Sequence, residues 1–193
     1  MIMRQHTLAR EGLEAALDGV NARVRRAFEI SHEQLTALGI PHALVGGLAV
    51  GAHGYQYATQ DVDWLVPTAA AFDGTAFLMF KPGVPIRAEN VVIDYLTPEG
   101  PPNVVEAMEI ALRTSEATPG HVVIVPPELL VWMKLKAGRG KDTGAIIELL
   151  HAGLNEDSVR AFLLEAGNKK VIDRFDAAVQ KAAEEDEEPE DQS

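Results

Sequence analysis

The segment "HALVGGLAVGAHGYQYATQDVDWLV", residues 42–66, constrains the fold of this chain more than any other. It begins with an apolar run, breaks at the pair Gly46-Gly47, continues through about two turns of helical pattern and ends in "DVDWLV". The apolar run before the glycines predicts a buried strand, and the alternation in "DVDWLV" predicts a second one. Because residues at i and i+2 of a strand project from one face, Asp61 and Asp63 are expected to place two carboxylates side by side.

A third acid lies inside another apolar strand pattern, "VVIDYLT", in which Asp94 shares a face with Val92 and Leu96. An unpaired carboxylate buried in an apolar strand is costly, so a cationic partner is expected for Asp94. If this strand lies beside "DVDWLV", three carboxylates meet on one face. Such a set can hold two divalent ions about 3.5 to 4 Å apart, as in phosphoryl and nucleotidyl transfer, and oxygen ligands suit Mg²⁺ or Mn²⁺. The predicted metal ligands are therefore Asp61, Asp63 and Asp94.

The rest of the chain predicts an α+β organisation. Apolar residues at three- and four-residue steps from Leu13 predict one long or two joined amphipathic helices that stop near Gly39. An outlying hairpin is expected at residues 75–90, a helix near 103–112 and a strand at "HVVIV", after which every pattern is helical. We therefore expect three regions: an α+β core at 1–125 with an N-terminal helix, a helical extension packed on it at 126–183, and a disordered acidic tail at 184–193.

Composition and charge exclude several classes of protein. With 193 residues and 47% hydrophobic content the chain can bury a core of its own, and without cysteine it has neither disulfides nor a thiolate metal site. No uninterrupted apolar stretch has membrane-spanning length, so a soluble cytoplasmic protein with no membrane partner is expected. The net charge is −12, of which the last ten residues contribute −7. Such a chain is not typical of a general nucleic-acid binder, and a tRNA partner would require a local basic patch.

At the glycine pair and the three acids the chain resembles the nucleotidyltransferase superfamily with the DNA polymerase beta-like fold. That family has a strand, a Gly-Gly or Gly-Ser pair, a short helix, Asp-x-Asp or Asp-x-Glu, and a later aspartate between hydrophobic residues. The matching elements here are Gly46-Gly47, Asp61-Val62-Asp63 and Ile93-Asp94-Tyr95. Together with "LKAGRGKD" they are most similar to the small bacterial branch that contains the toxin-like abortive-infection nucleotidyltransferases. The resemblance covers residues 40–150.

The resemblance implies a nucleotidyltransferase-type mixed sheet flanked by helices, with a C-terminal helical extension. It also implies metal-dependent transfer of a nucleoside monophosphate from a nucleoside triphosphate, with ATP as the first candidate. Asp61 and Asp63 would bind the metals that bridge the triphosphate. Asp94 would ligate the second metal and help to activate the acceptor hydroxyl.

The phosphate contacts implied by the resemblance involve Gly46, Gly47 and Thr59. A turn without side chains lets backbone N–H groups approach an anion, and the threonine hydroxyl would add a contact. Many relatives have arginine where this chain has Tyr57, and a phenol cannot neutralise phosphate charge. Either another cation replaces it or nucleotide binding is altered, and Lys134 in "VWMKLKAGRGKD" is the first candidate. The competing interpretation is that these basic residues only complement a helix dipole, with Asp142 capping the next helix.

Two questions stay open from the sequence alone. The acceptor can be a tRNA end, a protein hydroxyl or a small molecule such as an antibiotic. The alternative to an enzyme is a catalytically inactive protein of this fold that binds a nucleotide or partner, as one member of a toxin–antitoxin pair; Tyr57 and the acidic tail favour it. The expected protein partner is a second copy of the chain or an antitoxin-like protein, and the long N-terminal helix is a candidate surface for the homodimer.

Overall fold

The computed structural model describes residues 2–54, 58–68 and 84–187, and these form an α+β protein with eight helices and a five-stranded mixed sheet. The α+β class predicted from the sequence is thus confirmed. Tyr57, most of the expected hairpin at 75–90, and residues 188–193 lie outside the described residues. The helices are α1 (Ile2–Gly19), α2 (Ala22–Ala37), α3 (Gly46–Ala52), α4 (Pro102–Ala117), α5 (Pro127–Ala137), α6 (Gly140–His151), α7 (Glu156–Glu165) and α8 (Lys169–Glu187). The strands are β1 (Ala43–Val45), β2 (Asp61–Leu65), β3 (Arg87–Ala88), β4 (Val91–Leu96) and β5 (Val123–Ile124).

The sheet has the order β3-β4-β2-β1-β5. Strand β2 runs parallel to β4 and antiparallel to β1, while β5 runs parallel to β1 and β3 antiparallel to β4. The two strands that carry aspartates, β2 and β4, are therefore immediate neighbours. This adjacency brings Asp94 onto the same face as Asp61 and Asp63.

Helix α2 covers the face of the sheet opposite the aspartates, and Trp64 of β2 is the centre of that contact. Its side chain is fully buried, stacks on Phe28 at 5.4 Å between ring centroids and donates its indole N–H to the Ser31 hydroxyl at 2.9 Å. The hydroxyl in turn donates to the Phe28 carbonyl at 3.0 Å. A buried indole N–H needs such a partner, so Trp64 fixes β2 against α2 without a polar penalty.

Helix α3 packs closely on α1 because small residues line their crossing. A Cβ added at Gly51 would lie 2.8 Å from the Cβ of Ala16, and one at Gly12 would overlap the Ala52 carbonyl. Glycine weakens a short helix, but here it allows the two backbones to approach. The position of α3, which follows directly on β1, is set by this contact.

Residues 127–193 form a second compact unit, separate from residues 1–126. Its described part consists of α5 to α8, with buried side chains that include Leu129, Ile146 and Phe175. Helix α8 runs to Glu187, four residues into the segment 184–193 that the sequence predicts to be disordered. None of the helices in the described part of the chain has the length and hydropathy that a bilayer-spanning segment requires.

Candidate metal centre

The three predicted acids lie together on one face of the sheet. Asp63 of β2 is paired with Asp94 of β4, and Asp61 lies two residues before Asp63 on the same face. One carboxylate oxygen from each residue lies within 4.8 Å of the other two. Asp61 and Asp63 are half-buried, and Asp94 is exposed rather than buried as its apolar strand pattern suggested, so the cluster is open to a ligand from solvent.

The donor set suits a small divalent cation. All three donors are hard carboxylate oxygens, the ligands that Mg²⁺ and Mn²⁺ prefer. Two oxygens on opposite sides of one Mg²⁺ lie about 4.2 Å apart, so oxygens within 4.8 Å of each other need only small side-chain rotations to share an ion. The three acids therefore fit the metal that the sequence predicted.

Gly46 is required where β1 ends because its backbone touches the site. Val45, the last residue of β1, is paired with Asp63, and the chain then turns at Gly46 with φ +66°. A Cβ on Gly46 would overlap the Asp63 carboxylate. Two independent constraints, the left-handed backbone and the carboxylate, therefore exclude a side chain here.

Thr59 holds one of the acids in place. It is buried, and its hydroxyl donates to Asp61 Oδ1 at 2.6 Å. The single hydroxyl proton is used in this bond, so Thr59 cannot donate it to a phosphate at the same time. The residue that the sequence predicted as a nucleotide contact thus orients the Asp61 carboxylate in this structure, and its contact with a nucleotide stays a prediction.

Lys134 lies in the second unit, on α5, where its buried ammonium is 3.6 Å from the buried carboxylate of Asp142. Burial alone would raise the pKa of Asp142, but the hydrogen bond from Arg139 and the charges of Lys134 and Arg139 lower it below its ordinary value. Asp142 also accepts a 3.3 Å bond from the Arg139 backbone N–H at the start of α6, which confirms its predicted capping role. A phosphate-binding role of Lys134 stays a prediction.

A histidine pair behind the sheet was not found by sequence reasoning. His42 Nδ1–H donates to the Ile40 carbonyl at 2.8 Å, and His42 Nε2 and His32 Nδ1 share a hydrogen bond at 2.7 Å. Burial lowers the pKa of His42 to about 4 and also lowers that of His32. The His42 ring meets Trp64 edge-on at 4.9 Å, so this neutral pair is part of the packing beneath β2.

Arg87 on the edge strand β3 is another residue that sequence reasoning missed. It is paired with Val92, which in turn is paired with Asp61, so its position on the face of the acids depends on strand register. In the sequence Arg87 is only an isolated base in "VPIRAEN". Pairing between distant strands gives no local signal that could have identified it.

No protein-family model matches the chain, and no curated protein matches it significantly.

Proposed function

We propose that this protein is a metal-dependent nucleotidyltransferase of the DNA polymerase beta-like superfamily, with a nucleotidyltransferase-type sheet in residues 1–126. It would transfer a nucleoside monophosphate from ATP or another nucleoside triphosphate to an acceptor hydroxyl. The observation that carries this proposal is the meeting of Asp61, Asp63 and Asp94 from two adjacent strands. They meet beside the glycine corner at Gly46, whose missing side chain leaves room for Asp63.

In this proposal the three carboxylates hold Mg²⁺ or Mn²⁺. The bound ions would polarise the α-phosphate and neutralise the charge that develops on the leaving pyrophosphate. Asp94, the most exposed of the acids, would accept the proton of the acceptor hydroxyl as its oxygen bonds to the α-phosphorus. The bond between the α-phosphorus and the β-phosphate oxygen breaks, and pyrophosphate leaves.

The remaining predicted residues would hold the substrate or orient the acids. Gly46 and Gly47 would offer backbone N–H groups to the β and γ phosphates. Thr59 would keep the Asp61 carboxylate in its ligating orientation through the bond described above.

The test is transfer of label from α-³²P-labelled nucleoside triphosphates in the presence of Mg²⁺. Three acceptor pools are offered separately: total tRNA, a protein lysate and a set of small hydroxylated molecules that includes aminoglycosides. We expect one pool to become labelled by the wild type and to lose that label with Asp63→Asn. The matched control, Glu106→Gln, makes the same acid-to-amide change at an exposed position of α4 and is expected to transfer label normally.

The outcomes separate the enzyme from the binding protein. Binding of Mg-ATP without product from any pool would favour a catalytically inactive protein that binds a nucleotide, the alternative left open by the sequence. Label transfer that survives Asp63→Asn would refute the proposed site. An acceptor pool labelled by the wild type alone would give the substrate class directly.

A further inference from the structure

The face of the sheet that carries the three acids continues onto the edge strand β3. Asp61 is paired with Val92, and Val92 is paired with Arg87, so the three residues form one row across β2, β4 and β3. Directly paired residues of neighbouring strands point to the same face of a sheet. Arg87 therefore projects from the same face as the acids.

The row places Arg87 two strands away from Asp61 on the face that carries the acids. Strands lie about 4.8 Å apart, so two strand spacings place the Cα atoms of Arg87 and Asp61 roughly 10 Å apart. Val92, the residue between them, is 37% exposed and has a short aliphatic side chain, so it does not block the surface. An arginine side chain turned over Val92 would span most of this gap, whereas in the structure the guanidinium bonds the Asn90 carbonyl in the turn.

The guanidinium of Arg87 is available for an anion. It is exposed, and it donates to the Asn90 carbonyl at 3.2 Å in the tight turn that joins β3 to β4. This bond uses one of the five N–H donors of arginine. Within the described part of the chain Arg87 forms no ion pair, whereas Arg113 on α4 is paired with Glu109 at 3.6 Å.

A nucleotide at this site needs positive charge beyond that of the metal ions. Three carboxylates neutralise most of the charge of two divalent ions, while a triphosphate brings about four negative charges. Arginine is suited to this task because its planar fork can donate two parallel hydrogen bonds to phosphate oxygens. A cationic side chain on the same face as the acids would neutralise part of the remaining negative charge of the bound triphosphate.

We infer that Arg87 binds the triphosphate of the nucleotide at the three-acid site. This inference rests on the proposed function and adds to it a phosphate-binding residue on the edge strand. Arg87 would bridge phosphate oxygens on the side of the site opposite Gly46, since β1 and β3 flank the pair β2 and β4. It would not ligate metal, so its loss would weaken the binding of phosphate and leave the binding of metal ions intact.

The experiment measures two affinities in each variant. Binding of Mn²⁺ alone is followed by the electron paramagnetic resonance signal of free Mn²⁺, and binding of inorganic tripolyphosphate in saturating Mn²⁺ is followed by calorimetry at low salt. The variants are Arg87→Gln, Arg87→Lys and the control Arg113→Gln. We expect Arg87→Gln to keep the Mn²⁺ affinity within twofold and to weaken tripolyphosphate binding at least tenfold, with a smaller loss for Arg87→Lys. Arg113→Gln is expected to match the wild type in both measurements.

The other outcomes contradict either the role of Arg87 alone or the proposed function as well. If tripolyphosphate binds Arg87→Gln as it binds the wild type, Arg87 is not a phosphate ligand, and the proposed function stands on the wild-type binding. If the wild type binds no Mn²⁺, both the inference and the proposed function fail. Intact Mn²⁺ binding by Arg87→Gln also shows that the variant is folded.

Discussion

Replacing Asp94 by asparagine should have opposite effects on stability with and without metal. The carboxylate oxygens of the three acids lie within 4.8 Å of one another, and a pair of unit charges at that distance repels by about 0.9 kcal/mol in a water-like dielectric. Asp94 is exposed to solvent, so this water-like value applies to its repulsion by Asp61 and by Asp63. Asp94→Asn should therefore stabilise the metal-free protein by about 1 to 2 kcal/mol, which raises Tm by roughly 2 to 8 °C in a chain of this size.

Divalent metal should reverse that order. A metal ion at one hundred times its Kd stabilises the folded state by about 2.7 kcal/mol, and Asp94→Asn loses a ligand needed for that gain. Thermal unfolding followed by circular dichroism, in EDTA and in Mg²⁺ or Mn²⁺ at low salt and pH 7.5, should show the variant melting higher in EDTA and the wild type higher in metal. Glu106→Gln should follow the wild type in both buffers. The reasoning is refuted if the two melting curves keep the same order in both buffers.

Three further predictions concern the residues around and beneath the site. Gly46→Ala should lose Mn²⁺ affinity and be destabilised by about 1 to 2 kcal/mol in urea unfolding, because its φ is positive and its Cβ displaces the Asp63 carboxylate; unchanged Mn²⁺ binding would contradict this. His42 has a folded pKa of about 4, below its unfolded value of 6.5, so the unfolded state takes up the proton first and stability is lost as the pH falls. Between pH 7 and pH 5 this loss should reach about 2 kcal/mol in urea titrations and be absent in His42→Gln, and an equal loss in both would refute it. Asp142→Ala should lower the free energy of unfolding by about 3 kcal/mol, because it leaves the buried ammonium of Lys134 without its carboxylate partner. Lys134→Met should lower it less, since Asp142 keeps its bonds from the start of α6. Equal losses in urea unfolding of the two variants would contradict this prediction.

The sequence predicted the acidic face well because its signal is local. Alternation in "DVDWLV" and "VVIDYLT" is a property of single strands, and it correctly separated the aspartates from Trp64, which the structure buries on the other face. The end of the strand at the glycine pair could also be predicted, since a Gly-Gly pair after an apolar run marks a turn. The need for glycine at position 46 could not be predicted, because the Asp63 carboxylate that excludes a side chain there lies 17 positions away in the chain.

Features that depend on pairing and packing could not be predicted. The register that sets Asp63 beside Asp94 and Val92 beside Arg87 is a property of three strands together. The Thr59 hydroxyl donates to Asp61, two residues away. The sequence alone does not show which acceptor a threonine hydroxyl will bond.

The most direct test of the three-acid site is anomalous diffraction from a crystal soaked in Mn²⁺. Density within coordination distance of Asp61, Asp63 and Asp94 is the predicted result, and the peak should vanish in an equally soaked crystal of Asp63→Asn. Density at other carboxylates, or none between these three at millimolar Mn²⁺, would contradict a metal centre at this site.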